Sequence, residues 1–304
     1  MKVILLLISM WLPSMQDSSG WPFVIDKEPA SKHHAAAAGQ EEADDEPAVQ
    51  PSVPKTTHMP VLMYHKIDDN GKPNTAVIAS DRFREHMEAL KDAGYETIFE
   101  EELAAYARHG GGLAEKPILI TFDDGYLDNY VHAFPILKEL DMKASIYVIV
   151  SYRGKKPGWN EHFDWEQARE MIDSGHISIQ SHSYASHHVH PATGRSYLTG
   201  KVIFEDGSEE CDEDYANVVK NDMLLSKQTI EHETGQRVIS FSYPFGHYND
   251  QTEQWLQEAG YEMSFSVHQG LYRFGDPLWK IPRISVDGNW SGKQLLAEIE
   301  SLHP

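Results

Sequence analysis

The chain has 304 residues, 40% of them hydrophobic, enough for one large α/β domain or two small ones with a sizeable core. A formal net charge of -21 argues against a nucleic-acid binder and gives no support for docking to anionic lipid, so a neutral or cationic polymer is the better-matched partner. The single cysteine, Cys211, excludes an intramolecular disulfide and a thiolate zinc cluster.

In chain order, Lys2 precedes an apolar run from Val3 to Leu12 that Pro13 breaks. The run is short for a bilayer span and suits the core of a secretory signal peptide, so residues 1–16 read as an export signal or N-terminal anchor. Residues 17–57, rich in Ala, Glu, Asp, Pro, Ser and His, cannot bury enough apolar surface to offset their ordering entropy and read as a disordered linker. The working domain is expected over residues 58–304.

From Met59 strands alternate with helices. Residues 60–65 read as a strand ending in His65. Residues 80–93 place Phe83, Met87 and Leu90 on one helical face and stop at Gly94; a short strand (95–98) and a second helix (about 100–109) follow. Pro117 opens a buried strand, Ile118-Leu119-Ile120-Thr121-Phe122, that ends abruptly in Asp123-Asp124-Gly125. Next come a helix near 127–140 interrupted by Pro135, a strand (144–150), a helix (about 164–173) and a strand (176–182). A long connection over 183–211 leads to a helix capped by Asp212 or Asp214, running to about 233 with Val218, Leu225 and Ile230 facing inward. A strand (238–243), a helix (about 250–259), strands near 262–267 and 281–286 and a helix from 291 to 302 complete the chain. Seven or eight strand–helix units in series predict a single α/β domain, a deformed (β/α)7-8 barrel.

Asp123 and Asp124 would sit at the carboxyl end of a parallel strand, where such sheets place ligands and chemistry. Carboxylates that close repel, implying a cation, a shared proton or solvent exposure; a solvated Asp-Asp-Gly turn is the simpler alternative. His65, His182 and Tyr243-Pro244 also end predicted strands, so these groups converge on one face. His182 and His187 would lie about 140° apart on a regular helix, which makes a strand-end loop the better carrier. Two neutral imidazoles and one carboxylate form a three-ligand set for zinc with a position open for water; a polar His-rich loop is the alternative. Trp159, Trp165, Tyr184, Trp279 and Trp290 are candidates for stacking on sugar rings or for filling the core.

Thr121-Phe122-Asp123-Asp124-Gly125, His182-Ser183 with His187 behind it, and Phe241-Ser242-Tyr243-Pro244-Phe245-Gly246 together resemble the successive motifs of polysaccharide deacetylases, the NodB-homology domain of carbohydrate esterase family four. The resemblance covers about residues 59–290. It implies a deformed (β/α) barrel that removes acetyl groups from poly-N-acetylglucosamine, chitooligosaccharide, peptidoglycan or xylan with a bound divalent metal, zinc first and cobalt, nickel or manganese as alternatives. By position it implies Asp124, His182 and His187 as ligands, with His188 as the alternative to His187, and Asp123 as catalytic base. It further implies the backbone N–H of Tyr243 as a donor to the developing oxyanion.

Two departures from the family pattern shape the remaining assignments. An arginine commonly precedes the Tyr-Pro pair, where this chain has Phe241-Ser242, and the acid histidine commonly lies near the C-terminus, where this chain has only His303. The segment Val61-Leu62-Met63-Tyr64-His65 resembles instead the biofilm and adhesin-type branch, implying His65 as the acid. Arg283 either supplies the missing guanidinium to Asp123 or is an ordinary surface or salt-bridged arginine. The expected protein is an extracytoplasmic, monomeric, metal-dependent N-deacetylase, with no stable membrane insertion of the mature domain. An acetylxylan or peptidoglycan deacetylase and a non-catalytic glycan-binding surface protein are the alternatives.

Overall fold

The computed structural model describes residues 52–190, 194–204 and 206–304. The expected export signal and most of the expected linker lie outside these residues. The end of that linker is already tied to the domain. The Ser52 carbonyl accepts from the N–H groups of Gly112 and Leu113, and the Lys55 N–H donates to the Glu115 carbonyl at 2.8 Å.

Eight parallel strands form the central sheet: β1 (Val61–Tyr64), β2 (Glu96–Thr97), β3 (Pro117–Phe122), β4 (Ala144–Val148), β5 (Ile177–Ser181), β6 (Ser240–Ser242), β7 (Met263–Phe265) and β8 (Ile284–Ser285). Their order is β7-β6-β5-β4-β3-β1-β8, and β2 pairs with the first residues of β3, Glu96 opposite Pro117 and Thr97 opposite Ile118. The sheet curls until its edges meet through one parallel bridge, Phe265 to Ile281, just ahead of β8. This is the deformed barrel that the strand–helix alternation predicts. Among the described residues no helix is long and apolar enough to cross a membrane.

The strand β3 explains how the barrel leads to a site. Successive side chains of a strand point to opposite faces. Ile118, Ile120 and Phe122 join the core shared with the outer helices, whereas Leu119 belongs with Val61, Tyr147, Ile239, Phe265 and Ile281 in a second cluster. On that second face the sequence turns polar toward the carboxyl end, from Leu119 through Thr121 to Asp123. All of it is buried, so each polar group there needs an internal partner.

Helices α1 (Ser80–Asp92), α2 (Glu100–His109), α3 (Phe134–Leu140), α4 (Trp165–Asp173), α5 (Asp212–Thr234), α6 (Asp250–Glu258) and α7 (Gly292–Ser301) complete the fold. The expected face of α1, Phe83, Met87 and Leu90, is the buried one. Pro135 lies in the first turn of α3, where its missing N–H costs nothing; a π-helical turn, Asn129–Ala133, precedes it.

Helix α5 departs from expectation twice. Its cap is Cys211, whose sulfur accepts from the Asp214 N–H, rather than Asp212 or Asp214. Its inner face is Tyr215, Val219, Asp222, Met223, Ser226 and Ile230, while Val218 and Leu225 are 51% and 47% exposed. Two polar residues, Asp222 and Ser226, lie on the buried stripe, so hydrophobicity alone misplaces it.

Candidate active site

The Asp123 N–H still belongs to the sheet, donating to the Tyr64 carbonyl at 3.0 Å. Asp124 and Gly125 then both adopt left-handed backbone, φ 71° and 72°, which turns the chain out of the barrel mouth. A Cβ at position 125 would lie 2.6 Å from an Arg153 nitrogen, so glycine is required by space as well as by φ. Arg153 clamps this turn from behind. It donates to the carbonyls of Gly125 at 2.8 Å, Asp124 at 2.9 Å and Ile149 at 3.3 Å, and its guanidinium lies over the Phe163 ring. His162 adds Nδ1 at 3.2 Å from the Asp124 carbonyl.

His182 directly follows β5, its N–H on the Val148 carbonyl at 3.0 Å. Its Nδ1 is 2.7 Å from the Ser242 carbonyl, which can only accept, so the proton sits on Nδ1 and the Nε2 lone pair is free. Burial lowers the pKa of this imidazole to about 4, which keeps it neutral near pH 7. Ser183, at φ 85°, then reverses the chain, and the Ser183 and Tyr184 carbonyls accept from the Val150 and Ser151 N–H groups. That turn brings His187 back over the strand ends.

The result is a three-atom cage. Nε2 of His182 and Nε2 of His187 lie 3.6 and 3.3 Å from the same Asp124 oxygen, Oδ1, and the three ligand atoms fall within 4.8 Å of one another. Oδ1 is buried without a hydrogen-bond partner. At His182 a lone pair faces a carboxylate oxygen, two acceptors with no proton between them. The donor set therefore fits a divalent cation, which would neutralise the carboxylate and occupy both lone pairs. His188 does not share this geometry. Its ring is exposed and packs near Tyr152 and Tyr197.

Asp123 lies beside the cage in a different setting. Arg283 Nη1 and Nη2 donate to its two oxygens at 2.9 and 2.7 Å, and the Ser242 hydroxyl adds a third bond at 3.1 Å. The remaining guanidinium donors reach Thr121 Oγ1, the Ser242 hydroxyl and, from Nε, the Ser266 carbonyl. Arg283 is fully buried and so is not a surface arginine; its ion-pair partner is Asp123 itself. Burial works to raise the Asp123 pKa, but the charge and hydrogen bonds of Arg283 hold it well below the usual carboxylate range. The missing motif arginine is thus replaced in space from another strand, and Ser242 in its place serves as a hydrogen-bond partner.

His65 is half-buried, with its carbonyl held by Asn129 Nδ2 at 2.8 Å and its Nδ1 buried without a partner. The Tyr243 reading needs correction. Its backbone N–H donates to the Phe265 carbonyl at 3.2 Å, part of the barrel pairing, and is committed there. Gly246 and His247 also give their N–H groups to main-chain carbonyls, and Pro244 has none. Phe245, left-handed at φ 59°, carries the N–H that remains, and its ring lies 4.4 Å from that of His187. Of the aromatic candidates, Trp159 is 95% exposed, whereas Trp165, Tyr184, Trp279 and Trp290 pack against the core.

Arg153 and His162 were not legible as site residues. An arginine in Ser151-Tyr152-Arg153-Gly154-Lys155-Lys156 reads as part of a basic surface loop, and nothing local signals that its partners are carbonyls.

The family profile named Polysaccharide deacetylase matches residues 110–264. YxkH of Bacillus subtilis (strain 168), whose name places it among the polysaccharide deacetylases, is 31% identical over 281 residues, covering 92% of this chain and 88% of its own. The poly-β-1,6-N-acetyl-D-glucosamine N-deacetylase of Escherichia coli (strain K12) is 25% identical over 260 residues, 78% of this chain but 38% of that protein. Among solved structures, IcaB from Ammonifex degensii shares the fold with a TM-score of 0.69 at 23% identity, over 82% of this chain and all of that one. The Streptococcus pyogenes deacetylase PplD, in complex with acetate, gives 0.64 at 27% identity over 81% of this chain and 99% of that one. With its curled parallel sheet, its candidate metal cage and these similarities, the chain belongs to the polysaccharide deacetylase family and is a hydrolase.

Proposed function

We propose that this chain is an exported N-deacetylase that hydrolyses the acetamide groups of an N-acetylglucosamine polymer. The observation that carries the reading is the pairing of two carboxylates with opposite duties at one strand end: Asp124 open toward two imidazole nitrogens, Asp123 clamped and ionised by Arg283. The poly-β-1,6-N-acetyl-D-glucosamine N-deacetylases of Escherichia coli and Staphylococcus epidermidis among its relatives support the substrate class. The apolar run of residues 3–12 supports export, and an acidic chain suits a polymer that becomes cationic as acetyl groups leave.

Asp124, His182 and His187 would hold the cation, zinc first by donor type and cobalt, nickel or manganese as alternatives. When bound there, the ion supplies Lewis acidity toward the acetyl carbonyl and toward water. Asp123, ionised across the neutral range, takes the proton of the attacking water. The backbone N–H of Phe245 is the donor available to the oxyanion, a contribution of roughly 3–4 kcal/mol where such donors have been removed. His65, beside the two carboxylates at the barrel mouth, protonates the departing amine.

The test is acetate release from poly-N-acetylglucosamine oligomers, chitooligosaccharides, peptidoglycan and acetylxylan, with chelated protein and protein reloaded with zinc. Metal-dependent release from the first is the expected outcome. Preferential release from peptidoglycan or xylan would replace the substrate, and no release from any of them with metal bound would favour a non-catalytic glycan-binding protein.

A further inference from the structure

Helix α5 bonds to residues on either side of His182 without supplying a ligand to the candidate metal cage. Asp222 Oδ1 accepts from the Tyr184 N–H at 2.9 Å and Oδ2 from the Ala185 N–H at 2.7 Å. His187 lies two residues further along. One turn further along the same buried stripe, the Ser226 hydroxyl meets that of Ser181 at 2.6 Å, immediately before His182. The helix is itself anchored between these points, since the Tyr261 hydroxyl donates to the Met223 carbonyl at 2.9 Å.

We propose that Asp222 and Ser226 form a brace that sets the spacing between His182 and His187, with Asp222 the positioning residue that holds His187 in the cage. Residues i and i+4 of a helix lie one above the other, about 6 Å apart along the axis, so a rigid rod fixes two points of a loop that has no regular structure of its own. Asp222 lies in mid-helix, where no capping duty calls for an acid. Burying a carboxylate is costly, and apolar residues of similar volume commonly serve stability as well or better. Converging N–H groups from Tyr184 and Ala185 offset that cost only if the loop keeps this one shape. The brace thereby selects His187 over its neighbour His188, because the loop leaves Ser186 in a fixed direction. Partners behind metal ligands commonly matter in this way.

The inference rests on Asp124, His182 and His187 being the ligands, so the experiment begins with the parent chain. Zinc affinity is measured by competition with a chromophoric chelator for the parent, Asp222→Asn, Asp222→Ala and Ser226→Ala, alongside thermal unfolding of each metal-free protein and the absorption spectrum of each cobalt-loaded one. Asp222→Asn is expected to weaken zinc binding about 10- to 100-fold and to alter the cobalt spectrum, with Asp222→Ala at least as severe and Ser226→Ala smaller. If Asp222→Ala does not fold, Asp222→Asn, which keeps the shape and one acceptor, carries the test. An unchanged zinc affinity and cobalt spectrum in folded Asp222→Asn, whatever its melting temperature, overturns the brace and leaves a merely structural acid. A parent chain that binds no zinc or cobalt overturns the ligand assignment itself, and the brace with it.

Discussion

Arg283 and Asp123 meet edge to edge, two guanidinium nitrogens on two carboxylate oxygens at 2.9 and 2.7 Å, with both side chains withdrawn from solvent. A planar fork is what this geometry uses, and the other guanidinium donors are also engaged. Arg283→Lys should therefore lose activity even where it folds, because one ammonium cannot hold both oxygens. Arg283→Ala strands a buried carboxylate and should cost about 3–5 kcal/mol of stability. Urea denaturation with acetate release checks both, and a fully active lysine variant would refute the positioning of Asp123 by the fork.

Asp123→Asn should keep its zinc and lose activity by about 10²–10⁴-fold, the range of a general base. The three hydrogen bonds around the position survive in part, so the fold should persist. Metal analysis of the purified variant beside its rate separates the two effects; wild-type turnover would remove Asp123 as base.

The three histidines should differ sharply. His182→Ala and His187→Ala each remove a cage atom and should abolish stoichiometric zinc, whereas His188→Ala, whose ring is exposed and points elsewhere, should retain it. Zinc content after dialysis decides. The reverse pattern for positions 187 and 188 would show that the 183–187 turn takes a different path in solution.

His65→Ala should slow acetamides far more than acetyl esters with good leaving groups, because only a poor leaving group needs its proton in the transition state. Parallel losses on both substrates would assign His65 to binding instead. The ratio of the two rates is the measurement.

Glu100 offers a pH test remote from the cage. At the first position of α2 it is buried, with Oε1 accepting from the Tyr147 hydroxyl at 2.6 Å and Oε2 from Ser145 at 2.7 Å. Burial, and next the charge of Glu101, raises its pKa to about 7. The folded protein thus keeps a proton that the unfolded chain releases near about 4.3, so the group's stabilising contribution is full below that value and fades as pH rises toward its folded pKa. Glu100→Gln cannot titrate, and its stability relative to the parent should climb between about pH 5 and pH 8. Denaturation curves across that range test it, and a constant difference would contradict the assignment.

Much of this protein can be read without coordinates because its chemistry follows strands. A parallel strand delivers whatever follows its last residue to the same end of the sheet, so His65, Asp123-Asp124 and His182 are local statements that converge once the barrel is recognised. Helix faces are less legible. The stripe of α5 is displaced from Val218 and Leu225 because two of its buried positions are the polar Asp222 and Ser226, which bond to strand-end backbone and side chains that no hydrophobic pattern reports. The Tyr243 N–H failed as an oxyanion donor for a similar reason: its partner, the Phe265 carbonyl, exists only once β6 and β7 pair.

The sequence by itself determined the alternation of strands and helices, the family, and the residues that could ligate or transfer protons, since each depends on neighbours within one element. Only the tertiary structure decided between partners. Arg283 reaches Asp123 across 160 positions because the curled sheet brings β8 beside β1, whose other neighbour is β3, and His187 rather than His188 enters the cage because the loop after β5 is held in one shape from behind. Such choices turn on distances of an ångström or two between segments remote in the chain, and those distances are set when the barrel closes.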